Sequence, residues 1–207
     1  MDSRRAESFS DGVFAVAITV LVFNLLPIAD KTASDLTAKA LGHYWPAYLA
    51  YVVSFLTIGI MWLNHHTMLS RVRKVNRQVL VRNLFLLMGV VAIPFPTALV
   101  ADHLHENSQG TVAAVTYGLV MMVISVGYAT TWVYLAAHQQ ELDAVRRVRV
   151  PRLTTLRFTA GNVGYVAGTL IAFVSPIAAV TIFGLLAVYY LFEQLPDTGS
   201  EGHQEES

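Results

Sequence analysis

The fold turns on the stretch Arg5–Leu26, R-A-E-S-F-S-D-G-V-F-A-V-A-I-T-V-L-V-F-N-L-L. From Gly12 to Ala29 the chain has no Asp, Glu, Lys or Arg. Extended back through Phe9, this run is long enough to cross about 30 Å of hydrocarbon as a helix. No proline interrupts it before Pro27, which is expected to end it. Near its start sits an acid, Asp11. A charged side chain at the bilayer centre costs about 3 kcal/mol on insertion scales, and less near the interface. Asp11 therefore needs a partner or a task, and other helices must house it. Its position also argues against a cleaved leader, since no small-x-small cleavage site follows.

Composition points the same way. The 207 residues are 55% hydrophobic and 14% charged, where a soluble domain carries about 25% charge. Mean hydropathy is positive. There is no cysteine, which excludes disulfides, thiol chemistry and cysteine-ligated metal. A formal net charge of zero gives no footprint for nucleic acid. The partner that this composition implies is the lipid bilayer.

Further uncharged runs follow. Tyr44–Ser70 opens on the aromatic cluster Tyr44, Trp45, Tyr48 and Tyr51, as interfacial belts do. Asn83–Ala101 carries Pro94 and Pro96 near its far end, and Thr111–Ala137 is the next run. Phe158–Phe192 is uncharged for 35 residues, about 52 Å as one helix and too long for one span. It is expected to break at Ser175-Pro176. The expectation is an all-α membrane protein with six transmembrane helices in one domain, residues 1–195. The polar, acidic tail 196–207 is expected to be disordered. Of the fourteen basic residues, twelve fall before span one, between spans two and three, or between four and five. The positive-inside rule then puts both termini in the cytoplasm.

At 100° per residue, Arg5, Phe9, Gly12, Val16, Val20 and Phe23 lie within about 40° of Val16 on the first helix, and Thr19 flanks them. Asp11 lies about 140° away. One stripe is thus nearly all apolar, which reads as lipid-facing or core packing, and the acid is on another face. The topology sets Ser10 and Asp11 at the same depth as Trp62, His65 and His66 and as Asn83. Buried polar groups in lipid must satisfy one another. A Ser10–Asp11–Trp62–His66–Asn83 cluster tying three helices together is expected, and proton transfer through Asp11 and His66 is its sharper version. No metal site is expected, because His65 and His66 point in different directions and acids are scarce. Asn24, polar in the outer half of span one, is open to two readings, a pore mouth or a bond to a neighbouring helix. Gly161, Gly164 and Gly168 read as close-packing positions.

Arg5-Ala6-Glu7-Ser8-Phe9-Ser10-Asp11 fits the R-x-x-x-F-S-D signature of the transmembrane protein 175 family, and the continuation to Thr19 resembles its prokaryotic members. These are lysosomal potassium channels and their prokaryotic homologues. The resemblance covers the membrane region and implies a potassium-favouring cation channel in the cell membrane. It implies a homotetramer whose first helices line a central pore, with potassium as permeant ion and no cofactor. Carried over, the apolar constriction falls on Val16, with further pore positions at Thr19, Val20 and Phe23. Family members usually have Ile or Leu at the apolar positions, so Val makes a wider ring and Phe23 a bulkier one. The signature residues Phe9, Ser10 and Asp11 would brace the first helix against the others, with Arg5 beginning the motif.

Ser125-Val126-Gly127-Tyr128-Ala129 and Val163-Gly164-Tyr165-Val166 resemble carbonyl-filter sequences only in letters, since each lies inside a long run that reads as helix. Other classes fit less well. A proton-coupled secondary transporter using Asp11 and His66 would show repeats and broken helices, and neither is evident. An intramembrane enzyme lacks a nucleophile–base set. A purely structural subunit would pass no current alone.

Overall fold

A computed structural model describes residues 2–32, 37–144 and 152–193. The tail 196–207 and the basic residues Arg146, Arg147 and Arg149 lie outside the described residues. Every described element is helical: α1 (Ser3–Val20), a 3₁₀ segment (Leu21–Leu25), α2 (Leu26–Thr32), α3 (Ala38–His43), α4 (Trp45–Leu69), α5 (Arg77–Ala92), α6 (Pro94–His103), α7 (Asn107–Ala137), α8 (Arg152–Ile171) and α9 (Pro176–Glu193). Among the described residues, four helical paths are long and apolar enough to cross a membrane: Ser3–Ala29, Trp45–Leu69, Arg77–His103 and Ser108–Ala137. Two shorter apolar helices lie within α8 and α9.

Pro27 does not end the first helix. It is the second residue of α2, and a proline in a first turn forfeits an N–H that has no intrahelical partner there anyway. The helix instead tightens to 3₁₀ over Leu21–Leu25 and resumes. The third path begins earlier than its uncharged run, at the Asn76 cap, whose side chain accepts from the Val79 amide. Arg77 and Arg82 therefore sit in α5 rather than in a loop. Pro94 divides this path into α5 and α6, and the amide of Ile93 turns to the Val90 carbonyl three residues back. The long run after Phe158 is divided just before Pro176, where Ser175 caps α9 by accepting from the Ala178 amide.

A buried polar relay crosses the core. Thr97 Oγ1 donates to the Ile93 carbonyl, Ser54 Oγ lies 2.7 Å from Thr97 Oγ1, and Tyr117 Oη lies 3.1 Å from Ser54 Oγ. This relay joins α4, α6 and α7 inside the apolar core. At the end bearing the basic residues, the start of α1 is clipped by backbone bonds. The Ser3 amide donates to Arg73 O at 3.0 Å, and the Arg73 amide to Asp143 O at 3.2 Å.

Small residues set the spacing of α8 on α9. A Cβ at Gly168 would lie 2.5 Å from Phe183 Cε1, and one at Gly164 would lie 2.7 Å from Leu186 Cδ1. Phe183 is itself buried against Tyr117 and Tyr165 and has nowhere to go. Overpacking of this kind costs about 1–3 kcal/mol. Gly168→Leu is therefore expected to lower the thermal unfolding temperature in detergent by several degrees. A melting curve equal to wild type would contradict this packing.

Candidate functional site

The first helix has two faces with opposite chemistry. On the buried face stand Ala6, Ser10, Phe14, Ala17 and Leu21, one or two per turn, packed on α4 and α5. The polar members of this face are linked in sequence. Ser10 Oγ donates to the Ala6 carbonyl at 2.8 Å, so it accepts from Asn83 Nδ2 at 2.9 Å. Asn83 Oδ1 in turn accepts from His65 Nε2 at 2.7 Å. The direction of these bonds follows from chemistry: an amide nitrogen only donates and its oxygen only accepts. His65 therefore carries its proton on Nε2. Its ring also meets Phe14, with centroids 5.3 Å apart.

A second ladder runs beside the first. Trp62 Nε1 donates to Asp11 Oδ1 at 2.8 Å, and His66 Nδ1 lies 2.6 Å from Glu7 Oε1. Glu7 and Asp11 are four apart on α1, and Trp62 and His66 are four apart on α4. Both pairs keep one antiparallel register, so they fix the helices in rotation and in height.

The structure thus brings Ser10 together with Asn83, and Asp11 with Trp62. It does not bring Asp11 to His66. His66 is exposed and belongs to Glu7, while its neighbour His65 is fully buried and completes the Asn83 chain. Adjacent helix residues point about 100° apart, so only one of the pair can face α5. Neither Glu7 nor the role of His65 was drawn from the sequence. The signal was present, since Glu7 and Asp11 stand at i and i+4, as do Trp62 and His66. Asn24 Nδ2 reaches the Pro94 carbonyl at 3.3 Å, which ties the 3₁₀ segment to the kink of the third path.

The other face has no partner among the described residues. Phe9, Val16 and Phe23 are 56%, 58% and 60% exposed, and Arg5, Gly12 and Thr19 are exposed with them. Val20 is half-buried at the edge of the stripe. A side chain built at Gly12 would meet open space. Phe23 stays on the stripe because the 3₁₀ segment advances about 120° per residue, so three residues return it to the direction of Val20. Thr19 Oγ1 donates to the Val16 carbonyl at 2.9 Å, which leaves its lone pairs for a cation or water. α5 also exposes a broad face, with Leu84, Phe85, Met88 and Val91, and exposed Arg77 and Gln78 stand at its start. The α1 stripe differs in having a hydroxyl, Thr19, midway along it. Among the described residues, no three His, Asp or Glu side chains gather as metal ligands.

Comparison with known proteins gives a concordant result. Residues 5–94 match the model of the family described as endosomal/lysosomal potassium channel TMEM175. The chain is 43% identical over 196 residues to a potassium channel of Streptomyces collinus, covering 94% of each. The crystal structure of a lysosomal potassium-selective channel TMEM175 homologue from Chamaesiphon minutus superposes with a TM-score of 0.78 at 32% identity, over 94% of this chain and 98% of that one. An endosomal/lysosomal proton channel TMEM175 of Danio rerio is 33% identical over 118 residues, 54% of this chain and 22% of the relative.

Asn83 is the joint of the buried chain, and Asn83→Ala strands both His65 and Ser10. Interhelical hydrogen bonds in membranes are worth about 0.6 kcal/mol each, up to about 1.7. Two lost bonds predict a loss of about 1–3 kcal/mol. Thermal unfolding followed by size-exclusion elution should show earlier melting. Wild-type melting would remove the anchoring role given to this chain.

Proposed function

Because the chain belongs to the endosomal/lysosomal potassium channel TMEM175 family, a channel family and not an enzyme family, we propose that it is a potassium-favouring cation channel of the cell membrane. In this reading six spans, α8 and α9 supplying the last two, put both termini in the cytoplasm, and four copies assemble with their first helices around a central pore. The observation that carries the reading is the exposed stripe of α1 set opposite its anchored face. A helix held by Ser10 and Asp11 cannot turn the stripe inward onto its own chain, so the stripe must face lipid or other copies. Arg5 and Thr19 suit it to water and ions.

The mechanism follows from the residue types on the stripe. Carbonyl filters need extended backbone aimed at the ion. Here the backbone is helical through Thr32, so its carbonyls are committed to helix bonds and only side chains meet the ion. Rings of Val16 and Val20 form a narrow apolar passage that dewets and acts as the gate. An ion that enters must shed water, and potassium does so more readily than sodium. The Thr19 oxygens, with their protons turned to the backbone, offset part of that cost. Phe23 narrows the outer end, and four Arg5 side chains would ring the cytoplasmic mouth. The permeant ion is potassium, and no cofactor takes part.

A proton-coupled transporter draws less support. Of its two relay residues, Asp11 accepts from Trp62 and His66 stands against Glu7.

Purified protein in liposomes should pass potassium faster than sodium under matched gradients. Val16→Asn wets the ring and is expected to raise flux severalfold while lowering the preference for potassium. Unchanged flux and preference in the variant would overturn the constriction at Val16. Wild-type liposomes that pass neither ion but couple a solute to a proton gradient would favour the transporter.

A further inference from the structure

Away from α1, the helices leave a cavity of about 90 Å³ where α4 and α7 stand over α8 and α9. It is open on one side, and its wall includes Met61 and Asn64 of α4, Tyr128 of α7, Tyr165 of α8, and Ala187 and Tyr190 of α9. All of these belong to apolar helices, and an opening between such helices suits hydrocarbon. The Tyr128 hydroxyl donates to the Met61 carbonyl at 2.6 Å and holds α4 and α7 at a fixed distance across the cavity. A dry apolar cavity of about 150 Å³ takes up benzene. One of about 90 Å³ that opens sideways into a bilayer has the size for a short run of methylenes.

One helical turn beyond Tyr128, toward the end bearing the basic residues, stands Trp132. Arg71, two residues past the end of α4, holds its guanidinium carbon 5.2 Å from the centre of the Trp132 ring. Its Nε is buried and has no hydrogen-bond partner among the described residues, and Arg71 makes no ion pair among them. A buried guanidinium N–H without an acceptor is rare in a finished structure and invites an anion. Guanidinium groups bind phosphate through paired N–H bonds, and a tryptophan at that depth is at home in the headgroup layer.

We propose that this groove binds one anionic phospholipid of the leaflet on the basic side. One acyl chain enters the cavity between Met61, Tyr128 and Tyr165, and the phosphate rests on Arg71 beside Trp132. The spacing fits, since Tyr128 and Trp132 are one turn apart, about 6 Å along the helix axis. Charge selects the lipid: a headgroup with its own cation is repelled by Arg71, while one with net negative charge is not. The lipid would bridge α4 to α7, the two helices that the cavity leaves apart.

The test uses the purified full chain in nanodiscs with a trace of phospholipid carrying a diazirine in its tail. One set receives the phosphatidylglycerol probe, the other a phosphatidylcholine probe with identical tails. After illumination, labelled peptides are mapped by mass spectrometry. The anionic probe is expected to label the peptides holding Met61 and Tyr128 at least threefold more than the zwitterionic one. Arg71→Gln should abolish that preference and Arg71→Lys should keep most of it. Ala187→Phe, which fills the tail cavity, should lower labelling with Arg71 intact. Equal labelling of the wild type by both probes overturns the proposal, as does a preference that survives Arg71→Gln. The wild-type comparison needs no variant to fold.

Discussion

The chain of hydrogen bonds from His65 through Asn83 to Ser10 sets the rotation of the first helix, and the faces of the protein follow from that rotation. A helix in a bilayer has no hydrophobic reason to prefer one azimuth, because lipid tails are as apolar as the side chains of a neighbouring helix. Polar groups break that degeneracy. Ser10 must find Asn83, and Asp11 must find Trp62, so α1 docks with Ala6, Phe14, Ala17 and Leu21 inward. Val16, Thr19 and Phe23 are then presented outward by necessity. The ladder of Glu7 with His66 and Asp11 with Trp62 fixes height as well as rotation, since a slip of one turn would strand two carboxylates.

Further polar links sit deeper in the bundle. The Tyr117–Ser54–Thr97 relay and the Asn24–Pro94 bond sit where helices bend or diverge. Between them the helices rely on fit, with Gly164 and Gly168 letting α8 approach the side chains of α9 closely. A proline at a kink and a 3₁₀ turn in the first helix lie side by side and are joined by one side-chain bond. The outer part of the first helix is thus tied to a bend in another span rather than to a straight rod.

Much of this was legible in the sequence. Charge-free runs located the helical paths, and the spacing of Phe9, Val16 and Phe23 on one face marked the stripe that the fold leaves exposed. Depth matching brought Ser10, Asp11, Trp62 and Asn83 to one level. Three things were not legible. The choice between His65 and His66 depends on the rotation of α4, which an apolar helix with little amphipathicity does not reveal. Pro27 looked like a terminator because the sequence does not show that α1 tightens to 3₁₀ and restarts, so that the proline falls in a first turn. Arg77 and Arg82 looked like loop residues because long basic side chains in a helix can reach the interface along its surface.

The account stands or falls on which face of α1 meets water in the assembled protein. The chain has no cysteine, so single cysteines can be introduced without background. The direct measurement is modification by a charged, membrane-impermeant thiol reagent, applied to proteoliposomes holding Val16→Cys, Phe23→Cys or, on the apolar face of α5, Phe85→Cys. The account predicts reaction at Phe23 and, when the pore is hydrated, at Val16, with loss of potassium flux, and none at Phe85. Reaction at Phe85 with both α1 positions silent would contradict it, since the stripe would then face lipid.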